Sequence, residues 1–308
     1  MRGYLPLTVA ALVASLIGAT PAQAVVRCQG ATSPKTLADD QGTLESVIFG
    51  KDGRLYFTAT PSGETGRLMV LDKRSGGTPA VLSKPITAPG GLALDERGRI
   101  MVGFGTGING VTGTFFPTSG LFRVNSQNGK RTVFTEGLSQ ANGIARGPGG
   151  AFYASDDYGT NIDRILGGRV EQGWIKTFSP NGLVVSRDGR YLYWAQTFQA
   201  PQISRVELAH PDQPSVFAKA GLTDLTAGLD GMVGDTRDHL FVAANLAGEV
   251  WRVDGLGRFC RVTSGLDNPS AVALGSGEHG FSRKNLYVVE FGGHVSEVKG
   301  ALKAKYPG

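Results

Sequence analysis

One strand-turn-strand pattern recurs six times along the 308 residues of this chain, and the repetition limits the possible folds more than any other feature. The copies are ESVIFGKDGRLYFTA from Glu45, GGLALDERGRIMVGF from Gly90, NGIARGPGGAFYASD from Asn142, NGLVVSRDGRYLYWA from Asn181, DGMVGDTRDHLFVAA from Asp230 and SAVALGSGEHGFSRKNLYVVE from Ser270. Each has alternating apolar residues, a polar or Gly-rich turn such as Lys51-Asp52-Gly53 or Arg187-Asp188-Gly189, and a second β-branched or aromatic run. Third strands follow at Arg67–Leu71, Gly120–Val124, Ile203–Leu208 and Gly248–Val253, and fourth strands at Ala80–Leu82, Thr132–Thr135, Ser215–Ala218 and Arg258–Val262. Six four-stranded units of this length predict an all-β fold, a six-bladed β-propeller around a central channel. A β-sandwich would not show one hairpin six times. The 46 glycines agree, since 15% of the chain is about twice the usual ~7% and they follow no Gly-X-Y period.

The sixth copy has only three strands in view before Lys299. The segment around Lys35–Ala38 is therefore expected to supply its outer strand and close the ring. Residues 1–24 read as a cleaved signal peptide: Arg2, the apolar run Leu5 to Ile17, and the small-x-small site Ala22-Gln23-Ala24. That run is shorter than the ~20 residues of a spanning helix. The mature chain, 25–308, is expected to be one secreted or periplasmic propeller domain. In an exported chain the two cysteines, Cys28 and Cys260, read as a disulfide tying the new N-terminus to the fourth strand of blade five. A net charge of +5 with no basic cluster argues against a nucleic-acid partner, no later segment spans a membrane, and a monomer is expected.

In a propeller the first residue of each innermost strand stands at one mouth of the channel. Those positions are Glu45, Gly90, Asn142, Asn181, Asp230 and Ser270. Four carboxylates and carboxamides from four blades converge there, and two facing carboxylates need a cation between them. Glu45, Asn142, Asn181 and Asp230 are all-oxygen ligands, which select calcium, with magnesium or manganese as the other hard ions. Asn-Gly and Asp-Gly are also common turn pairs. Four at one register, each opening a blade, favour a ligand cage over turns.

ESVIF at Glu45, ANGI at Asn142, PNGLVVSRDGRYLYWA at Asn181 and LDGMVGDTRDHLFVA at Asp230, with GEVWRVD beyond, resemble the senescence marker protein/gluconolactonase family of calcium-dependent six-bladed propellers, regucalcin included. The resemblance covers essentially the whole mature chain. It implies that Glu45, Asn181 and Asp230 hold calcium, that Asn142 binds the metal or substrate, and that the activity is hydrolysis of a lactone or ester. The paraoxonase-like histidine pair has no match among His210, His239, His279 and His294; His239 and His279 fall in turns at the opposite mouth, and His294 lies at the ligand-side end of blade six. The arginine that sugar lactonases carry near the blade-three Asn is not matched either.

Asp230 is the expected catalytic residue, as general base or nucleophile. Loops joining second and third strands should rim the mouth and select the substrate. The longest, Gly103–Gly120, carries Phe104, Phe115 and Phe116 and reads as a candidate lid. Phe104, Phe115, Asp156, Gln196 and Glu290, with Asn142, are the substrate-binding candidates; Asp157, Phe198, Asn245 and Phe291 are further rim positions. A non-catalytic calcium-stabilised binding propeller, and a metal-free strictosidine-synthase-like propeller using Glu290, are the competing readings.

Overall fold

The structure is a computed structural model that describes residues 24–73, 77–107, 118–198 and 200–308. The proposed signal peptide, apart from Ala24, and Phe115 and Phe116 of the long loop lie outside the described residues. Six antiparallel sheets follow one another along the chain, each running from an inner first strand to an outer fourth. Blade one is typical: Thr43–Phe49, Leu55–Thr60, Gly66–Leu71 and Ala80–Ile86. The all-β propeller read from the repeat is the fold observed.

Blade six closes the ring. Its Pro269–Leu274, Leu286–Glu290 and Val295–Val298 take their fourth strand from Pro34–Ala38, which pairs antiparallel with Val295–Val298. Just upstream, Val26–Arg27 adds a parallel strand to the outer edge of blade five, with Val26 opposite Cys260. This fifth strand has no counterpart in the repeat and was not legible in it. The Cys28–Cys260 disulfide follows directly from it, joining residues 232 apart in sequence.

The core is divided among the blade interfaces. Each of the six hydrophobic clusters joins two neighbouring sheets: Tyr193 and Trp251 sit between blades four and five, Val262 and Val288 between five and six, Phe57 and Val289 between six and one. Trp194 and Trp251 are fully buried packing residues, as their places within strands imply. Apolar burial at ~25 cal/mol per Å² thus clamps every blade to both neighbours and leaves the channel for polar side chains.

Candidate functional site

The innermost strands are bulged where they meet the channel. Pairing with the second strand skips between Leu44 and Val47, Pro180 and Leu183, Leu229 and Met232, and Pro269 and Ala271. A bulge leaves a residue unpaired and re-aims its side chain. Glu45, Asn181 and Asp230 occupy three of these bulges, and Asn142 stands two residues before the first strand of blade three, Ile144–Arg146.

The glycines beside them have a packing reason. A Cβ on Gly143 would stand 2.3 Å from Asn181 O, one on Gly182 2.5 Å from Asp230 O, and one on Gly231 2.7 Å from Ser270 O. None of the three has a left-handed φ. These Asn-Gly and Asp-Gly pairs are therefore close approaches of one blade's backbone to the next, not turns. Side-chain bonds latch the same seams: Ser155 Oγ donates to Asn181 O at 2.7 Å, Thr197 Oγ1 to Leu229 O at 3.0 Å, Asn245 Nδ2 to Pro269 O at 3.1 Å, and Ser270 Oγ to Leu44 O at 2.6 Å. Ser270 is thereby turned away from the cage, while a Cβ at Gly90 would collide with Ala141 O. Four polar side chains face the axis from this ring, as the register predicts.

Glu45, Asn142, Asn181 and Asp230 form the waist between two chambers. The outer chamber, about 510 Å³, opens at the mouth and adds Thr43, Thr60, Thr106, Gln140, Asp157, Thr197 and Asn245 to its polar lining. The inner, about 260 Å³, is otherwise lined by side chains such as Val47, Phe49, Ile144 and Met232. Both carboxylates at the waist are held protonated to unusually high pH. Burial, then the charge of Asp157, pushes Glu45 up to about 8 despite the Asn142 Nδ2 that donates to its Oε1 at 3.3 Å. Burial and the charges of Glu45 and Asp157 raise Asp230 well above the usual carboxylate range, against bonds from Gly231 N and Asn181.

Asp157 is the third acid, raised to about 7 by burial and by the charge of Asp156, against the nearby Gln140 carboxamide. Its own N–H donates to Gln140 Oε1 at 2.9 Å, while its buried Oδ1 and Gln140 Nε2 have no hydrogen-bond partner. No three His, Cys, Asp or Glu side chains among the described residues close on one point. The waist is instead two carboxylates with two carboxamides. An all-oxygen set with excess negative charge and an unpartnered acceptor beside it fits a hard divalent cation.

Four of the substrate-binding candidates do not line the outer chamber. Phe104 is buried and stacks on Phe122 at 4.3 Å. Asp156 caps its own turn, with Gly159 N donating to Asp156 O at 3.1 Å and the N–H groups of Tyr158 and Gly159 bonding its carboxylate, so its neighbour Asp157 faces the chamber instead. Gln196 donates to Phe178 O at 2.8 Å and accepts from Ser204 Oγ at 3.1 Å, both groups of blade four and its approach. Glu290 lies buried under the rim, accepting from Asp267 N at 2.6 Å and Ser296 Oγ at 2.5 Å. His294, whose Nδ1 is buried without a partner, does not line the chamber either. Asn245, Phe198 and Phe291, read as rim positions, do.

Residues 166–290 match the family model described as SMP-30/Gluconolactonase/LRE-like region, a stretch that contains Asn181 and Asp230. No curated protein sequence matches the chain. Similar solved structures include a gluconolactonase from Xanthomonas campestris, with a TM-score of 0.68, 16% identity, and 91% of this chain and 98% of that one covered. A calcium-binding protein, regucalcin, from Agrobacterium tumefaciens gives 0.66 at 20% identity over 89% and 95%. A virginiamycin B lyase from Staphylococcus aureus gives 0.57 at 16% over 87% of each. Residues 166–290 thus resemble an SMP-30/gluconolactonase/LRE-like region, and they are set within a six-bladed propeller of the same build as these structures.

Proposed function

We propose that the chain is an exported, calcium-dependent hydrolase of the lactonase or esterase type. The observation that carries this reading is the convergence of Glu45, Asn142, Asn181 and Asp230 at the waist, where burial and mutual repulsion hold two carboxylates far from their ordinary ionisation. Those four residues would hold the ion, which when bound supplies a Lewis acid for a carbonyl oxygen. Asp230, in its ionised form, takes the proton from the attacking water at a carboxylate oxygen. Asn245 Nδ2, 3.4 Å from Asp230 Oδ2 and also bonded to Pro269 O, orients that carboxylate. Asn142, donating to Glu45, keeps the opposite acid turned into the waist. The disulfide is consistent with an oxidising compartment, and no helix among the described residues is long and apolar enough to cross a membrane.

The test is hydrolysis of aliphatic and aromatic lactones by residues 25–308, with chelator and with calcium restored. Activity that disappears with chelator, returns with calcium, and falls by ~10²-fold or more in Asp230→Asn supports the reading. Full turnover in chelator would overturn it.

A further inference from the structure

The outer chamber carries information about what it accepts. Its described lining holds three acids, Glu45, Asp157 and Asp230, and no lysine, arginine or histidine. A divalent ion would balance two of these charges. An anionic substrate would still meet net negative charge in a confined space, with no basic side chain among the described lining to offset it.

Most of the wall's buried hydrogen-bonding capacity is already committed to the fold. Thr106 Oγ1 donates to Ala88 O at 2.9 Å, Thr197 Oγ1 to Leu229 O, and Asn245 Nδ2 to Pro269 O. Gln140 Nε2 and Asp157 Oδ1 are the two lining atoms that are buried and unpartnered among the described residues, and they sit side by side. Together they serve one hydrogen-bonding group of a ligand. A polyol needs a partner for every hydroxyl it loses to burial.

The upper wall is apolar: Ala88, Pro89, Tyr158, Phe198, Leu246 and Phe291. Tyr158 and Phe198 come from different blades and approach ring to ring at 5.7 Å. Phe198 is 56% exposed, Leu246 69%, Tyr158 48% and Phe291 36%, so large side chains from four blades leave apolar surface uncovered at one mouth. Scattered single exposed apolar residues are ordinary, but a contiguous group lining a cavity marks a surface that a ligand covers.

Resting on the hydrolase reading for the chemistry, we propose that this chamber selects an uncharged lactone or ester bearing an aromatic or branched apolar arm, seated against Phe198, Leu246, Tyr158 and Phe291, over polyhydroxylated or anionic lactones. The reacting carbonyl lies at the waist. The arm points outward along the apolar wall, and one polar substituent meets the Gln140–Asp157 pair. Each ~55 Å² of arm buried is worth about tenfold in affinity.

Binding separates this proposal from turnover. Two non-hydrolysable γ-lactams, one with a phenyl arm and one polyhydroxylated, are titrated calorimetrically into the calcium-loaded protein. The phenyl lactam should bind at least about tenfold tighter. The preference should shrink by about threefold or more in Leu246→Ser, a fully surface-compatible change, and further in Phe198→Ser, with the polyhydroxylated lactam unaffected. Equal or stronger binding of the polyhydroxylated lactam, absence of binding by both, or a preference unchanged in Leu246→Ser would overturn the proposal. The matched lactones are then assayed for hydrolysis: the binding preference without turnover removes the hydrolase and keeps the specificity, whereas turnover of sugar lactones without the preference does the reverse.

Discussion

The raised acids at the waist make stability depend on pH in a direction opposite to that of ordinary carboxylates. A carboxyl whose folded pKa lies above its unfolded value binds more protons in the native state across that interval. The slope of unfolding free energy against pH is then negative there. For Glu45, moved from 4.5 to about 8, the metal-free protein loses stability as pH rises through the unfolded value, and the loss is complete only above the folded one. Between pH 4.5 and pH 7 this one group removes on the order of 3 kcal/mol, an upper limit because Glu45 keeps part of its surface open to the chamber. Asp157, raised to about 7, and Asp230 act in the same direction. A divalent cation bound by the ionised forms should cancel the slope. The assay is thermal unfolding from pH 5 to pH 8.5 in chelator and in calcium. The chelated protein should melt progressively lower as pH rises, the calcium form should stay level, and the two curves should converge near pH 5, where the acids are protonated. A chelated melting temperature that is flat or rises toward pH 8 would refute the electrostatic reasoning and with it the cation argument.

Three further outcomes follow from the same contacts. Asp157→Asn removes a charge that raises both Glu45 and Asp230 without removing a waist ligand, so at pH 8 the metal-free variant should be more stable than wild type by roughly 1–2 kcal/mol in guanidinium titration. Gly182→Ala places a methyl 2.5 Å from Asp230 O and 2.6 Å from Met232 N; overpacking of this kind costs ~1–3 kcal/mol, and calcium affinity measured by titration should fall with it because Asp230 moves. Replacing both cysteines with serine opens a 232-residue link whose chain-entropy value is about 5 kcal/mol; a loss of ~2–5 kcal/mol is expected, and less than ~0.5 would mean that the strand pairing at Pro34–Ala38 anchors the N-terminal segment alone.

The fold was legible because a propeller writes itself into sequence at one period. Even the closing strand could be placed, since blade six visibly lacked a fourth strand and a β-compatible segment stood unassigned at Lys35–Ala38. The two-residue strand Val26–Arg27 was not legible, because it pairs once, in parallel, and outside the repeat. Waist positions were legible by the same periodicity, although the reason for their Asn-Gly and Asp-Gly pairs was not. Sequence offered a choice between ligand and turn, and the structure adds a third cause: backbone of the next blade passing within contact distance of the glycine.

Rim residues are a different problem, because strand alternation stops where a strand stops. Beyond Phe152–Ser155 the period of two no longer says which side chain faces the channel, and Asp156 and Asp157 are chemically identical. A usable signal was nevertheless present in Asp156-Asp157-Tyr158-Gly159. Asp at the first and Gly at the fourth position is a β-turn preference, and the leading Asp tends to bond the N–H groups that follow it. That assigns Asp156 to the turn and leaves Asp157 for the chamber, as found. Gln196 and Glu290 close their own strands, Tyr191–Gln196 and Leu286–Glu290, and there a long polar side chain folds back onto nearby backbone and hydroxyl partners within reach. Residues one or two positions farther on, Phe198 and Phe291, have left the sheet and stand in the mouth. In five of the six blades the last residue of the second strand therefore belongs to the blade and the chamber is lined by what comes after it, Thr60 of blade one being the exception.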